Sequence, residues 1–512
     1  MLDFKLMEKQ TMKEFSKYIF LFVLFIASAC TKLEEEPVSI LVPGQYFNTE
    51  ADAEAAVMGS YALLSSDNFY GRRLTMVLQL LGDDIDIADI GTQSSRIQLN
   101  GFTHDASNQD ILAVWRLAYL GIGAANAAID GIPNVPMEEG KKNALIAEAR
   151  MVRALNYYHL VQLFGDIPYI GQFVTDPNTI KDINKTPASE VYQHIIDDCE
   201  FGISYLPDAF PGNIKSRATK GAAHTLLSSV YMVLQQWDKA AEHAEAVIND
   251  AGKYHYGLVN DYQDLWKADL GHQLEHVWVV DFMGGITGEN GTNQDYTAPM
   301  TGVRDADMLG WSVLVPSPGM YGSFDNNDYR KEVSYLTETP IKGVMTPYQQ
   351  WRWPRIHTAK WCLYPGANAN AEGADSDIKH VIFRYAEILL MAAESLNESN
   401  GGPTAKAYEY LNAVRQRARN TPNGVRTFPT DIPVGLNQAA FRDAVREERR
   451  VELAFEWKRW YDLKRWDIVV EAFTKEGAYE KRENIKPSHK LLPIPQEEIG
   501  RNANLLPQNE GY

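Results

Sequence analysis

The chain has 512 residues, with 67 Asp and Glu against 49 Lys and Arg, a formal net charge of −18 and 45% apolar residues. The apolar share is ordinary for a globular core, and the length suits two or three average domains or one large helical array. So acidic a body argues against nucleic acid or an anionic lipid surface as partner, and three cysteines exclude a disulfide scaffold.

In chain order, the first predicted element is a leader. Lys13 and Lys17 precede the apolar run Ile19–Ala27, and Ser28-Ala29-Cys30 follow. This is the charge–apolar–small layout of an export signal, and the run is too short to span a bilayer. A cysteine at the cleavage point makes it a lipoprotein signal, although Ala27 stands where Leu is commonest. The expectation is a signal peptide over 1–29, lipidation of Cys30, a charged tether over 30–40, and a body attached to a bacterial membrane by its lipid anchor only. Met12-Lys13 makes a better start than Met1. No later run approaches the roughly 18 apolar residues of a membrane helix. Cys199 and Cys362 are expected to be buried and unpaired.

Helical patterns follow. Glu50–Leu64 is Ala-rich, Asp110–Ile129 sets Ile111, Val114, Trp115, Ala118, Ile122 and Ala125 on one face, and Lys141–Phe164 repeats the pattern until Gly165-Asp166-Ile167-Pro168 stops it. Within Ala218–Gly252, Leu227, Tyr231, Ala240, Ala244 and Val247 fall at the offsets of a tetratricopeptide repeat, whose small residues let two helices pack closely. Arg384–Asn397 with Thr404–Arg419 reads as a second pair, and Lys141–Phe164 with Ala188–Leu206 as a third, split by an insertion. Residues 253–375 lose this periodicity. His276–Phe282 reads as a strand, and six of the eleven Trp residues fall in this stretch.

Two motifs raise metal or catalytic chemistry. His272-Gln273-Leu274-Glu275-His276 fits H-x-x-E-H, the inverted zinc-peptidase pattern. That chemistry needs a helix to bring both His to one metal, and here Gly271 precedes the motif and a β-branched strand follows. The acidic run Asp83-Asp84-Ile85-Asp86-Ile87-Ala88-Asp89 lacks the spacing of a calcium loop and, with apolar residues alternating through it, reads as a strand or extended loop edge with outward acids. There is no nucleophile elbow and no phosphate loop. No catalytic residue, metal or cofactor is assigned; a zinc-dependent or glycoside hydrolase stays as the rival from another class.

The chain resembles the SusD/RagB family of outer-membrane nutrient-binding lipoproteins. The resemblance rests on Tyr46-Phe47-Asn48-Thr49, Trp115 to Tyr119 with Ala125-Asn126, Ala147-Glu148-Ala149-Arg150 with Arg153, and Leu163 to Pro168. It continues through Arg384 to Leu390, Leu411-Asn412 with Val414-Arg415, Glu448-Arg449, Glu452, Glu456, Arg459-Trp460, Asp462, Arg465-Trp466, Leu492 to Pro495 and Gln508 to Tyr512. It implies a mainly α fold, a tetratricopeptide-like scaffold of about four helix pairs with a loop-rich, partly β ligand-binding region. The body would be a single domain over 41–512: helical over 45–252 and 376–475, loop-rich over 253–375 and extended over 476–512. It also implies a SusC-like TonB-dependent transporter as partner, and Glu34-Glu35-Glu36 behind Cys30 resembles the acidic signal that sends such lipoproteins to the cell surface. The recurring acids and bases at 384–394 and 449–459 read as scaffold ion pairs tying helices together, worth tenths of a kcal/mol each when exposed.

A sugar presents a face of C–H groups and a rim of hydroxyls, so flat aromatics with polar neighbours suit it. Trp115, Trp237, Trp457, Trp460 and Trp466 lie on helical periodicity, and Trp278 on its strand; these read as core. Tyr296, Trp311, Tyr321, Trp351 and Trp353 lie in loops, as do Tyr70 and Arg72 beside Gly71. The expected ligand-binding residues are Trp311, Trp351, Trp353, Tyr296, Tyr70 and Arg72. The reading is a non-enzymatic surface lipoprotein that passes a glycan ligand to its transporter; within the same family the alternative ligand is peptide.

Overall fold

The computed structural model describes residues 46–286, 288–308, 310–369 and 376–512; the expected leader, Cys30 and the tether lie outside the described residues. Helix α1 (Glu50–Leu64) starts on a reciprocal cap. Thr49 Oγ1 accepts from the Asp52 amide, and the Asp52 carboxylate accepts from the Thr49 amide at 2.8 Å, which satisfies two donors that a first helical turn leaves unpaired. After α2 (Arg73–Leu80), α3 (Gln109–Gly131) starts on Asn108, whose Oδ1 accepts from the Asp110 and Ile111 amides. α3 packs against α1 and against α4 (Glu139–Phe164), which in turn packs on α5 (Ala188–Tyr205).

Two further pairs follow: α6 (Lys220–Val233) with α7 (Trp237–Asn249), and α8 (Tyr385–Ser399) with α9 (Ala405–Ala418). With α1/α3 and α4/α5 they make four helix pairs, and the fold is mainly α. Ala240, Ala244, Ala407 and Leu411 are fully buried at the contacts where the repeat spacing calls for close approach. α7 also packs on α8, so the scaffold is continuous across the long insertion between them. Arg153 of α4 reaches both neighbours: it makes a bidentate pair with Asp198 of α5 at 2.8 and 2.7 Å and donates to Asn126 of α3 at 2.8 Å. By length and composition Gln109–Asn134 would be long and apolar enough to cross a membrane, contrary to the sequence expectation. In the fold it is a packed scaffold helix, 61% buried over its apolar window.

Most of the short strands lie between α7 and α8, and all are in two-stranded sheets among the described residues. β1 (Ile85–Ile87) pairs antiparallel with β3 (Leu314–Pro316), and β2 (His276–Val280) with β6 (His380–Arg384); β4 (Glu338–Ile341) and β5 (Val344–Pro347) form a hairpin. Trp278 on β2 is fully buried, as are Trp266 and Trp361, and of the Trp residues on helical periodicity all but the half-buried Trp237 are core. The C-terminal segment returns to the end of α4: the Leu492 amide donates to the Leu163 carbonyl at 2.7 Å, and Asn509 Nδ2 to the Phe164 carbonyl at 2.9 Å. Cys199 and Cys362 are buried and unpaired.

The acids and bases of the C-terminal helices are not surface pairs. Arg384, at the end of β6, is 1% exposed and binds Glu275 at 2.7 Å, Glu452 at 2.6 Å and Glu456 at 2.8 Å. Glu452, on α10 (Gln438–Glu452), also takes Arg330 at 2.9 Å and Arg417 of α9. Burial alone would raise the Glu452 carboxyl; Arg417, Arg384 and Arg330 outweigh it and hold it below the usual carboxylate range. Glu387 pairs with Lys458 at 3.0 Å, not with Arg384 one turn away. The spacing at 384–394 and 449–459 therefore joins separate segments through the core. The magnitude follows burial: breaking such a pair costs several kcal/mol, not tenths.

Candidate ligand-binding face

Six residues were expected to meet ligand, and the structure brings four of them onto one strip. Arg72 lies over the Tyr296 ring, its Cζ 4.7 Å from the centroid, while Asp67 fixes its other side in an ion pair at 2.6 Å. Tyr296 and Trp311 lie with centroids 5.6 Å apart and planes at 32°. Trp353 follows, with Arg304 between: the Arg304 Cζ is 5.5 Å from the Trp353 centroid, and its Nη2 donates to the Trp311 carbonyl at 3.5 Å. Arg352 closes the strip, its Cζ 4.7 Å from the same indole. Tyr296, Trp311 and Trp353 are all half-buried and Arg352 is exposed.

Close backbone contacts hold these loops. The Tyr296 amide donates to the Gly71 carbonyl at 2.8 Å, and a Cβ on Gly71 would stand 1.9 Å from the Gln294 carbonyl oxygen. A Cβ on Gly310 would stand 2.0 Å from Gly302, the crossing at which Trp311 is anchored by its amide to the Pro299 carbonyl at 2.6 Å. Only glycine fits either crossing.

Tyr70 and Trp351 are placed differently, in the core. Tyr70 is 1% exposed, and its hydroxyl bonds His159 Nε2 at 2.7 Å, while His159 Nδ1 meets the Tyr461 hydroxyl at 2.8 Å. Burial pushes the His159 imidazole down to about 3, so it is neutral. Trp351 is 4% exposed; its indole N–H donates to the Thr346 carbonyl at 2.9 Å, which ties it to β5. Tyr321 is half-buried, beneath Lys331 and edge-on to Tyr335.

The acidic run does form a strand, but three of its four acids turn to cations and not to solvent. Asp83 meets Arg459 at 2.9 Å, Asp86 meets Arg355 at 2.9 Å and Asp89 meets Arg304 at 2.9 Å. Asp83, Asp84 and Asp89 are buried. Among the described residues no cation forms an ion pair with Asp84, and burial, with Asp83 beside it, outweighs Arg459 and raises its carboxyl to about 6. The H-x-x-E-H side chains also separate: His272 binds Asp281 at 2.9 Å, Glu275 lies in the Arg384 network, and His276 Nδ1 accepts from the Gln273 amide at 3.0 Å. Arg304 and Arg352 were missed from sequence, although Trp351-Arg352-Trp353 places a cation between two aromatics. A depression of about 570 Å³ lies on the helical side, lined by Trp115, Tyr119, Ile180 and Leu505.

Comparison with known proteins bears on this arrangement. The profile of the SusD family matches residues 340–512, and a profile described as starch-binding associating with outer membrane matches residues 71–232. SusD-like protein P2 of Formosa agariphila is 42% identical over 510 residues, covering 97% of this chain and 99% of the relative. Among solved structures, a SusD homolog from Bacteroides thetaiotaomicron superposes with a TM-score of 0.82 at 25% identity, covering 92% of this chain and 98% of that one. A laminarin-binding SusD-like protein superposes with a TM-score of 0.76 at 25% identity, covering 91% and 100%.

Proposed function

This chain belongs to the SusD/RagB family, and from that premise we propose that it binds oligosaccharide or polysaccharide at the surface of the outer membrane and delivers it to a SusC-like TonB-dependent transporter. The observation that carries the reading is the half-buried Tyr296–Trp311 pair, held by glycine crossings on a loop face above a rigid helical scaffold. Rigid elements steady a site and the loops between them present it. The aromatic planes take the apolar face of a sugar ring, and Arg72, Asp67 and Arg304 lie within reach of its hydroxyl rim. The laminarin-binding relative and the starch-binding family description support the ligand class. Acylated Cys30 would tether the body to the membrane, and the family supports the transporter partnership. No covalent step is proposed, since the residues of the H-x-x-E-H motif engage separate partners.

Stacking on a shallow face gives weak complexes, micromolar to millimolar, or about 4–8 kcal/mol. Affinity electrophoresis of the wild type and of Trp311→Ala and Tyr296→Ala across a glycan panel tests this. The wild type should be retarded by at least one glycan, with retardation lost in both variants. Equal retardation of all three proteins would place the site elsewhere.

A further inference from the structure

The strip carries arginines against its aromatic rings. Building on the glycan-binding reading, we propose that the ligand is an acidic polysaccharide, one bearing sulfate esters or uronate carboxylates, and that Arg304, Arg352 and Arg355 around Trp353 receive the charged groups. Arg304 and Arg352 lie within 5.5 and 4.7 Å of the Trp353 centroid, and Arg355 follows two residues along the chain, with its guanidinium turned to Asp86 at 2.9 Å. Two carboxylates serve the three guanidiniums: Asp89 takes one nitrogen of Arg304, and Asp86 one of Arg355, whose other terminal nitrogen donates to the Pro316 carbonyl at 3.0 Å. Arg352 is exposed, and among the described residues no carboxylate reaches ion-pair distance of it. Each guanidinium offers five N–H donors in a planar fork, so the cluster keeps donors to spare after Asp86 and Asp89 are served.

The residue type decides between ligand classes. A neutral sugar needs its hydroxyls paired, which Asn, Gln or Asp does as well as Arg. The planar fork is matched to carboxylate and sulfate oxygens, where charge strengthens each bond. The setting sharpens this. A body of net charge −18 repels a polyanion at long range, so a local excess of cations on the loop face is what acidic recognition would require. The strip then divides its work: Tyr296 and Trp311 take the ring, and Trp353 serves as a platform that holds Arg304 and Arg352 toward the acid group through cation–π contact.

The test is calorimetry and affinity electrophoresis of the full chain without its leader. The panel is laminarin as a neutral glucan, polygalacturonate as a carboxylate polymer, and fucoidan beside its chemically desulfated form, each at about 50 and about 300 mM NaCl. An acidic polymer should bind roughly tenfold or more tightly than a neutral one, and weaken several-fold at the higher salt. Arg352→Gln should lose roughly tenfold, with partial recovery in Arg352→Lys, and exposure of this side chain keeps the fold intact in both. The carboxylate and sulfate arms identify which acid group is read. Neutral glucan bound as tightly as the acidic polymers, with no salt dependence, overturns the proposal and leaves glycan binding standing. A protein that binds no polymer in the panel overturns both.

Discussion

Glu452→Gln removes one charge from the centre of the molecule while keeping the side-chain shape. The carboxylate is fully buried and takes three guanidiniums, from Arg330, Arg384 and Arg417. Removing one partner of a buried pair costs about 3–5 kcal/mol, because the remaining charge is left uncompensated. Here each arginine keeps another carboxylate: Asp328 and Glu448 for Arg330, Glu275 and Glu456 for Arg384, and Glu275 for Arg417. The expected cost is therefore at the lower end, about 3 kcal/mol. With a urea slope of about 3 kcal/mol/M, the unfolding midpoint should fall by about 1 M. Urea is the denaturant of choice, since guanidinium is itself a salt that screens charge. Glu332→Gln is the control: its partner Arg426 lies on the surface, and that pair is worth about 0–1 kcal/mol. A Glu452→Gln midpoint within about 0.2 M of wild type, no lower than that of the control, would refute the claim that this network ties β2, β6, α9 and α10 together.

The remaining expectations address single sites. Asp84 has its folded-state carboxyl raised to about 6, above its ordinary value of 3.8, so its contribution to stability is present below pH 4 and is lost as pH rises through 6. Asp84→Asn should therefore stabilise the protein by about 1–3 kcal/mol at pH 7.5 and leave it unchanged below pH 4, read from thermal unfolding at both values; an effect independent of pH would contradict the assignment. Glu394, Asp462 and Glu456 behave oppositely: burial would raise each, Arg465, Arg449 and Arg384 respectively outweigh it, and the stability they contribute should fall away as pH drops below about 4.5. Trp351→Ala should cost about 3–5 kcal/mol of stability, whereas Trp311→Ala should keep the fold and lose the ligand, a contrast that circular dichroism and calorimetry read on the same samples.

The scaffold was legible because its determinants are local. A 3.6-residue apolar period and small residues at fixed offsets mark α3 to α9, and the β-branched run at 276–280 marks β2, without reference to anything distant in the chain. The fate of loop aromatics is not local. Tyr70 sits beside a glycine in polar sequence, yet its hydroxyl is buried against His159, 89 positions away. Trp351 and Trp353 have nearly the same neighbours, and only the first finds a carbonyl on β5 to receive its N–H. The ion pairs were visible as residue types, but not their partners. A helical repeat of acids and bases is compatible with pairing along one helix, and burial by β2 and β6, which directs Arg384 to Glu275 and Glu456, is a tertiary event. Arg304 was hidden for the same reason: only the fold that brings it beside Trp353 gives it a place on the strip.

The proposed role of the loop strip turns on where a sugar sits. The most direct measurement is a crystal structure of the protein with an oligosaccharide that calorimetry shows to bind. The account predicts a sugar ring against Tyr296 or Trp311, with Arg72 or Arg304 hydrogen-bonded to its rim. An oligosaccharide held instead in the helical-side groove between Trp115, Tyr119 and Leu505, with the loop strip empty, would contradict it.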